Sequence, residues 1–195
     1  MKKGEKKRGI RKYFTEALKY VSKSRNYIYA IVVLFVISAF VGFAFPEKFT
    51  FFDEILKKII EKTEGLGWLD LIVFIFKNNL QSAFWGIASG AVFGIFPILS
   101  GAINGTVLGY VMNLVFAKNG IGEFWRILPH GIFELPAIFI ALGLGVRLGM
   151  FVFAKEKMKE LKRRAYNSLL VLVFIILPLL VIAAIIEGTL IILYK

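Results

Sequence analysis

The sequence contains no cysteine and a single histidine among its 195 residues. Without cysteine, a disulfide framework, a thiolate metal site and a cysteine nucleophile are all excluded. One histidine is too few for the usual zinc centre, and the sequence has no HExxH motif and no phosphate-binding loop of the GxxxxGK[ST] type. The two carboxyl groups of the apolar segments, Glu134 and Glu187, are expected to stand alone. We therefore predict a protein that is not an enzyme and that has no cofactor and no metal.

Charge is also scarce, since only 19% of the residues are charged while 58% are hydrophobic and the mean hydropathy is +0.73. A soluble domain of this length could not cover so much apolar surface, whereas lipid covers it in a membrane protein. The apolar stretches are continuous rather than alternating, which disfavours a β-barrel. The fold class predicted is all-α, a polytopic bundle of transmembrane helices.

Positive charge is abundant, with a net charge of +12, but it is concentrated in two places. Ten of the 25 lysines and arginines lie within residues 1–26, and six more lie within residues 155–164. Both clusters flank hydrophobic spans, which is the asymmetry of cytoplasmic segments and not the basic face of a nucleic-acid-binding domain. The predicted partner is therefore the lipid bilayer and not nucleic acid.

Five spans are predicted, in a single transmembrane domain formed by residues 27–195. They cover residues 27–45, 80–97, 101–117, 132–153 and 168–194. Residues 80–117 carry no charge and are too long for one crossing, so a turn is expected at Pro97, Ser100 and Gly101. Arg147, in the inner half of the fourth span, is expected to snorkel to the cytoplasmic interface, the alternative being a functional arginine.

Two further segments have the pattern of amphipathic helices lying at the membrane interface. Residues 1–26 are expected to form a basic cytoplasmic segment, in which residues 8–24 place apolar side chains on one helix face and basic side chains on the other; the alternative is a solvated, partly disordered tail. Residues 51–64 form a second helix, whose charges nearly cancel, as expected outside the cytoplasm. With the basic clusters inside, the N-terminus is predicted to be cytoplasmic and the C-terminus extracytoplasmic in the plasma membrane.

Glycine recurs every four residues in the apolar segments, as in a glycine zipper. The glycines expected at helix–helix contacts are Gly86, Gly90, Gly94, Gly101, Gly105, Gly109, Gly145 and Gly149. Such spacing lets helix backbones approach closely, and the stripes 86–94 and 101–109 are expected to face each other. Packing within the chain or across a homo-oligomer interface is favoured over a pore lined by glycine.

Ionisable and amide side chains are costly inside an apolar span, about 2.5 kcal/mol or more for a charge at its centre. Their presence there therefore indicates a structural or functional role. We expect an outer-leaflet polar cluster of Asn78, Asn79, Asn113, His130 and Glu134. His130 and Glu134 are one helical turn apart and share a face. The cluster could fix helix packing through its own hydrogen bonds, form a ligand, ion or proton site, or dock a partner.

The segment PHGIFELPA at residues 129–137 resembles the stage II sporulation protein M family of integral membrane proteins. The resemblance is also carried by Asn78-Asn79, by the glycines of residues 86–109, and by Gly143 and Gly145. The motif residues that it implies are Asn104, Gly105, Pro129, Gly131 and Pro136. It implies a membrane scaffold that assembles with other membrane-anchored proteins, including peptidoglycan-degrading enzymes in spore-forming bacteria.

Two functional hypotheses follow. The first is a non-enzymatic membrane scaffold or assembly protein, which associates with other membrane proteins or with copies of itself. The second is a small homo-oligomeric transporter or channel that uses His130 and Glu134 as coupling groups. The lack of cysteine and near-lack of glutamine, with abundant lysine, glutamate and isoleucine, point to a thermophilic source.

Overall fold

The computed structural model describes the backbone of residues 2–120 and 128–193, and all of their side chains except those of residues 2–8, 119 and 128–130. These residues form seven α-helices: α1 (Lys2–Ala44), α2 (Phe52–Thr63), α3 (Trp68–Ala88), α4 (Ile95–Asn119), α5 (Leu128–Gly149), α6 (Lys157–Val171) and α7 (Leu177–Leu193). Short 3-10 turns occur at Pro46–Lys48, Ser89–Ala91 and Met150–Phe153. No strand occurs in this part of the chain, so the prediction of an all-α fold is confirmed.

Helix α1 joins the basic N-terminal segment and the first predicted span without a break. The sequence has neither glycine nor proline between Gly9 and Gly42, so nothing interrupts the hydrogen-bond ladder at the predicted boundary between residues 26 and 27. The helix ends at Ala44 because the following Pro46 disfavours a helical conformation at Phe45. In the structure, the segment and the span are therefore one element.

The turn between the second and third predicted spans is displaced from its expected position. Helix α3 ends at Ala88 and α4 begins at Ile95, so Pro97, Ser100 and Gly101 lie inside α4. The chain reverses at Phe93 and Gly94, whose φ angles are 54° and 71°. Pro97 lies in the first turn of α4, where no N–H is needed for the helical ladder. The predicted bounds 80–97 and 101–117 are wrong for this reason.

Four helices are long and apolar enough to cross a membrane, namely Gly9–Ala44, Ile95–Lys118, Gly131–Phe153 and Lys157–Leu193. The last of these combines α6 and α7 through a π-type turn at Leu172–Ile176. Pro178 follows directly and offers no N–H to the carbonyl of Phe174, which explains why the ladder widens there. Helix α3 does not belong to this group because Lys77, Asn78, Asn79 and Gln81 interrupt its apolar sequence.

Helix α3 nevertheless packs alongside α5 and α7 in the bundle. It is parallel to α5, since Gly86 lies against Leu142, and Gly90, just beyond the end of α3, lies against Gly145. It is antiparallel to α7, where Gly188 lies against Ile72 near the start of α3. Among the described helices, α3 and α5 therefore run in one direction and α7 in the opposite direction.

Small side chains occupy the centre of this bundle. Six alanines are almost completely buried between α1, α3, α5 and α7: Ala17, Ala83, Ala137, Ala141, Ala183 and Ala184. Leu144, Ile176 and Leu180 fill the space between them. Because alanine adds only a methyl group to the backbone, the helices can pack at short distances, which is typical of helix association in lipid.

Helix α2 covers one end of the bundle, which we call the α2 end. Its bounds agree with the amphipathic stretch expected at residues 51–64. The Tyr110 hydroxyl of α4 donates a 2.6 Å hydrogen bond to the Asp53 carboxylate, and Phe52 is buried beside that tyrosine ring. The apolar stripe of α2, including Ile55 and Ile59, remains exposed. The opposite end, where Arg147 and residues 155–164 lie, is called the basic end below.

Candidate functional site: interior polar groups and glycine seams

The buried face of α3 explains why an asparagine lies inside the bundle. Leu71, Ile75, Asn79 and Ala83 are buried at intervals of four residues, so Asn79 belongs to the interior stripe of its helix. Glu134 precedes Ala137 and Ala141 by about one and two turns on α5, which places it near the buried face of that helix. Glu187 stands in the same relation to Ala183 on α7.

Asn79 and Glu134 lie close to each other in the structure. The Asn79 side chain faces the Glu134 carboxyl, and only 8% of the Asn79 surface is exposed. Glu187 lies within electrostatic reach of Glu134. The expectation that the two glutamates stand alone is therefore wrong, because α5 and α7 bring their carboxyl groups towards each other.

The other members of the expected polar cluster are distributed differently. The Asn78 side chain is exposed next to Asn79, because consecutive residues of a helix point in different directions. Asn113 donates a 2.9 Å hydrogen bond to the carbonyl of Phe43, and so joins α4 to α1. The His130 side chain lies outside the described residues. The structure thus brings Asn79 and Glu134 together and adds Glu187, while Asn78 and Asn113 have other surroundings.

One glycine seam joins α5 to α3 and to the turn that follows α3 at residues 89–94. A Cβ built at Gly90 would overlap the carbonyl of Gly145, and one at Gly145 would overlap the carbonyl of Gly86. The backbone of Gly149 lies equally close to that of Gly94. The stripe 86–94 therefore faces α5, whereas the spacing alone had predicted that it would face the stripe 101–109.

A second glycine seam joins α4 to α1. Cβ atoms at Gly105 and Gly109 would overlap the carbonyls of Phe35 and Ala39. Gly101 differs from them, because its nearest neighbour would be an Ile31 methyl carbon at the ordinary distance of 3.6 Å. The two helices run parallel, since residue numbers increase together along the seam.

Three close glycine contacts were not foreseen from the stripes. They involve Gly42 against Thr106, Gly143 against Ile28, and Gly188 against Ile72. The first two complete contacts of α1, and the third lies between α7 and α3. Each is a lone glycine on its own helix face, so no regular spacing marks it. A glycine inside an apolar span was the only available signal.

The motif residues lie in three different settings. Asn104 donates a 2.8 Å hydrogen bond to the carbonyl of Ser100 within α4, while Gly105 belongs to the seam with α1. Pro136 lies inside α5 and removes the N–H that would bond the carbonyl of Ile132. A Cβ at Gly131 would have room, with Leu135 Cδ1 at 3.5 Å. The side chain of Pro129 is outside the described residues.

A further polar contact across helices was missed from the sequence. The Trp68 indole N–H donates a 3.1 Å hydrogen bond to the Thr189 hydroxyl and ties the start of α3 to the last turns of α7. The two residues are separated by most of the chain, so no local pattern could pair them. Among the described residues, no group of three or more histidine or acidic side chains is arranged to hold a metal ion.

Comparison with known proteins agrees with this architecture. Residues 19–190 match the family described as Stage II sporulation protein M. An uncharacterised protein of Methanocaldococcus jannaschii is 27% identical over 190 residues, covering 89% of this chain and 85% of that protein. A second uncharacterised protein of the same organism is 31% identical over 118 residues, covering 58% of this chain and 66% of that protein. No solved structure matches the chain. The match extends over most of the sequence and confirms the resemblance carried by residues 129–137, so the chain belongs to the stage II sporulation protein M family.

Proposed function

We propose that this protein is a non-enzymatic integral membrane scaffold, which holds other membrane proteins or further copies of itself. The observation that carries the proposal is the pair of seams at Gly90–Gly145 and Gly109–Ala39, where helix backbones are in direct contact. Such contacts make a rigid bundle, because there is no side chain between the helices to repack. A rigid membrane body with a helix fixed across one end is suited to holding partners in place.

The surfaces that such a scaffold would offer are apolar and exposed. Ile59 of α2 is 47% exposed and Phe40 of α1 is 69% exposed, although both belong to well-formed helices. In the membrane these faces meet either lipid or another membrane protein. A partner is therefore expected at some of these positions and not within the buried core.

Photo-crosslinking in native membranes tests the proposal. Benzoylphenylalanine placed at Ile59 or Phe40 should give discrete ultraviolet-dependent bands above the monomer, identifiable by mass spectrometry. The same residue at Leu71, which is 2% exposed, is the matched control and should give only the monomer. The absence of protein adducts at every exposed position would contradict a scaffold.

The competing hypothesis is a homo-oligomeric transporter that uses His130 and Glu134. It has less support, because the Asn79 side chain lies beside the Glu134 carboxyl and the surrounding helices are in close contact. In proteoliposomes the wild type should carry no proton or monovalent cation flux. Flux that is present in the wild type and lost in Glu134→Gln, with the fold intact, would establish the transporter instead.

We further propose that the N-terminus is cytoplasmic and the C-terminus extracytoplasmic. The basic end would then lie inside and the α2 end outside, as the distribution of lysine and arginine favours.

Single cysteines test this topology directly, since the natural chain has none. Lys118→Cys, near the end of α4, should react with a membrane-impermeant maleimide in intact cells. Lys159→Cys, on the exposed face of α6, should react only after the cells are permeabilised. The reverse labelling pattern would invert the topology, and equal labelling of both positions would show an even number of crossings between them.

A further inference from the structure

Arg147 lies in the last turn of α5 and is directed into the bundle, towards α1. Its Nη1 donates hydrogen bonds to the Ser24 hydroxyl at 2.7 Å and to the Tyr20 carbonyl at 3.3 Å. Its guanidinium carbon lies 4.2 Å from the centre of the Tyr20 ring, a distance typical of a cation–π contact. The side chain is thus held in one position, whereas the sequence predicted that it would snorkel to the interface.

The positive charge of Arg147 has no acidic partner among the described side chains. Two more arginines lie nearby, since Arg164 Nη1 donates a 2.7 Å hydrogen bond to the backbone carbonyl of Arg147. Arg163 and Arg164 share one carboxylate, that of Glu160, at 2.8 and 3.2 Å. All three arginines act electrostatically on the same Tyr20 hydroxyl, so their charges converge on a small region. One carboxylate for three guanidinium groups leaves a marked excess of positive charge.

Several guanidinium donors of this arginine cluster, Arg147, Arg163 and Arg164, remain unused. Arg147 bonds only through Nη1, so its Nε and Nη2 make no hydrogen bond within the described part of the chain. Arg164 bonds through Nε and Nη1, which leaves Nη2. The negative end of the α5 dipole favours Arg147 in this last turn, but it occupies none of these donors. Adjacent Nε and Nη2 groups form the fork that binds two oxygens of a phosphate.

The position of the cluster along the bundle identifies the source of such a phosphate. Arg147 is near the end of the apolar segment Gly131–Phe153, and the charged start of α6 follows it closely. This is the depth at which phospholipid headgroups meet a transmembrane helix, in either orientation of the protein. Arg147 is also only partly exposed, as suits a site reached from the bilayer.

We propose that the arginine cluster, with Arg147 fixed by Ser24 and Tyr20, binds the phosphate of an anionic phospholipid headgroup. The fork of Arg147 takes two phosphate oxygens, while Arg164 and Arg163 contribute further charge. A zwitterionic lipid binds less well, because its ammonium group meets the same excess of positive charge. The proposal does not depend on the scaffold function, since it concerns the lipid and not the protein partner.

Native mass spectrometry of the full-length protein in dodecyl maltoside tests this site. The first phosphatidylglycerol should bind about tenfold more tightly than the first phosphatidylcholine, and Arg147→Gln should reduce phosphatidylglycerol affinity about tenfold. Arg147→Lys keeps the charge but not the fork and should be intermediate. Lys159→Gln is the matched control, because it removes one positive charge from an exposed, ion-paired position on α6, and its affinity should be unchanged.

The outcomes separate the alternatives. Equal losses in Arg147→Gln and Lys159→Gln would overturn the site in favour of a diffuse charge effect. Equal affinities for the two lipids would overturn the selectivity for anionic headgroups. Displacement of bound phosphatidylglycerol by inorganic phosphate, at about 50 mM, would assign the site to a soluble anion instead. If Arg147→Gln does not elute as a monodisperse helical protein, Arg164→Gln is measured in its place and should weaken phosphatidylglycerol binding severalfold, whereas unchanged binding would contradict the proposal.

Discussion

Replacing Gly90 with alanine is expected to lower the melting temperature of the detergent-solubilised protein by about 5 °C or more, which corresponds to roughly 1–3 kcal/mol of overpacking. The added methyl group would occupy the space of the Gly145 carbonyl, which belongs to a backbone and cannot rotate away. Helices α3 and α5 would have to separate along the whole seam. The loss of close contact would therefore extend well beyond the substituted residue.

The sign of this effect distinguishes a seam from an ordinary helical glycine. Alanine is a better helix former than glycine by about 0.5–1 kcal/mol, so Gly→Ala at a site with room should be neutral or stabilising. Gly101 provides that control, because it belongs to the same periodic stripe as Gly105 and Gly109 but has room for a Cβ. Gly109→Ala should resemble Gly90→Ala, while Gly101→Ala should not destabilise. Equal behaviour of Gly101→Ala and Gly109→Ala would show that the α1–α4 seam is not closed in solution.

These glycines also show what could be predicted from the sequence and what could not. Of the eight glycines chosen by their spacing, seven have close contacts with a neighbouring helix, and Gly101 does not. Spacing alone does not name the helix on the other side, because every helix with small residues is an equally good partner. The stripes 86–94 and 101–109 are adjacent in sequence, yet one packs on α5 and the other on α1.

The turn between α3 and α4 was predicted at the wrong residues, because a proline can mark either a turn or the first turn of a helix. Pro97 followed by Ser100 and Gly101 resembles a turn, but proline is equally acceptable in the first turn of a helix, which is the position that it occupies. The real reversal at Phe93 and Gly94 has no proline to mark it. The all-helical class was predicted from composition, and the bounds of α2 from a clear amphipathic period. Neither pattern is typical of another structure.

The interior polar groups could be predicted only in part, because contacts between residues far apart in sequence bring them together. Residues 79, 134 and 187 lie on three helices, and only the packing of α3, α5 and α7 brings them together. The free-energy cost of exposing a carboxyl group to lipid indicated that Glu134 would face the interior, but no sequence spacing connects Glu134 with Glu187. Among the described side chains, the group that matters for a functional test is therefore Asn79, Glu134 and Glu187, without Asn78 and Asn113.

Removing the Asn79 amide should be costly, and removing its partner as well should restore much of the loss. In Asn79→Leu the Glu134 carboxyl would face a hydrocarbon side chain instead of an amide inside an apolar bundle, which should cost about 1–3 kcal/mol. In Glu134→Leu the nearly buried Asn79 amide is the group left without a partner. The double variant has neither defect, and Glu187 no longer faces a second carboxyl group. Its melting temperature in detergent should therefore exceed that of Asn79→Leu, so that the two losses are not additive.

Asn78→Leu is the matched control for this cycle, because it makes the same chemical change one residue away on the exposed side of α3. It should leave the melting temperature unchanged or raise it, since leucine is a better helix former and gives up no interior contact. Glu134→Gln keeps an oxygen that can accept from Asn79 and should be nearly as stable as the wild type. Strictly additive losses in the double variant would mean that the two side chains do not interact in the folded protein. A large loss in Asn78→Leu would instead place the exposed side of α3 against another protein, and the paired interior of α3, α5 and α7 would then no longer be the reason for the stability of this region.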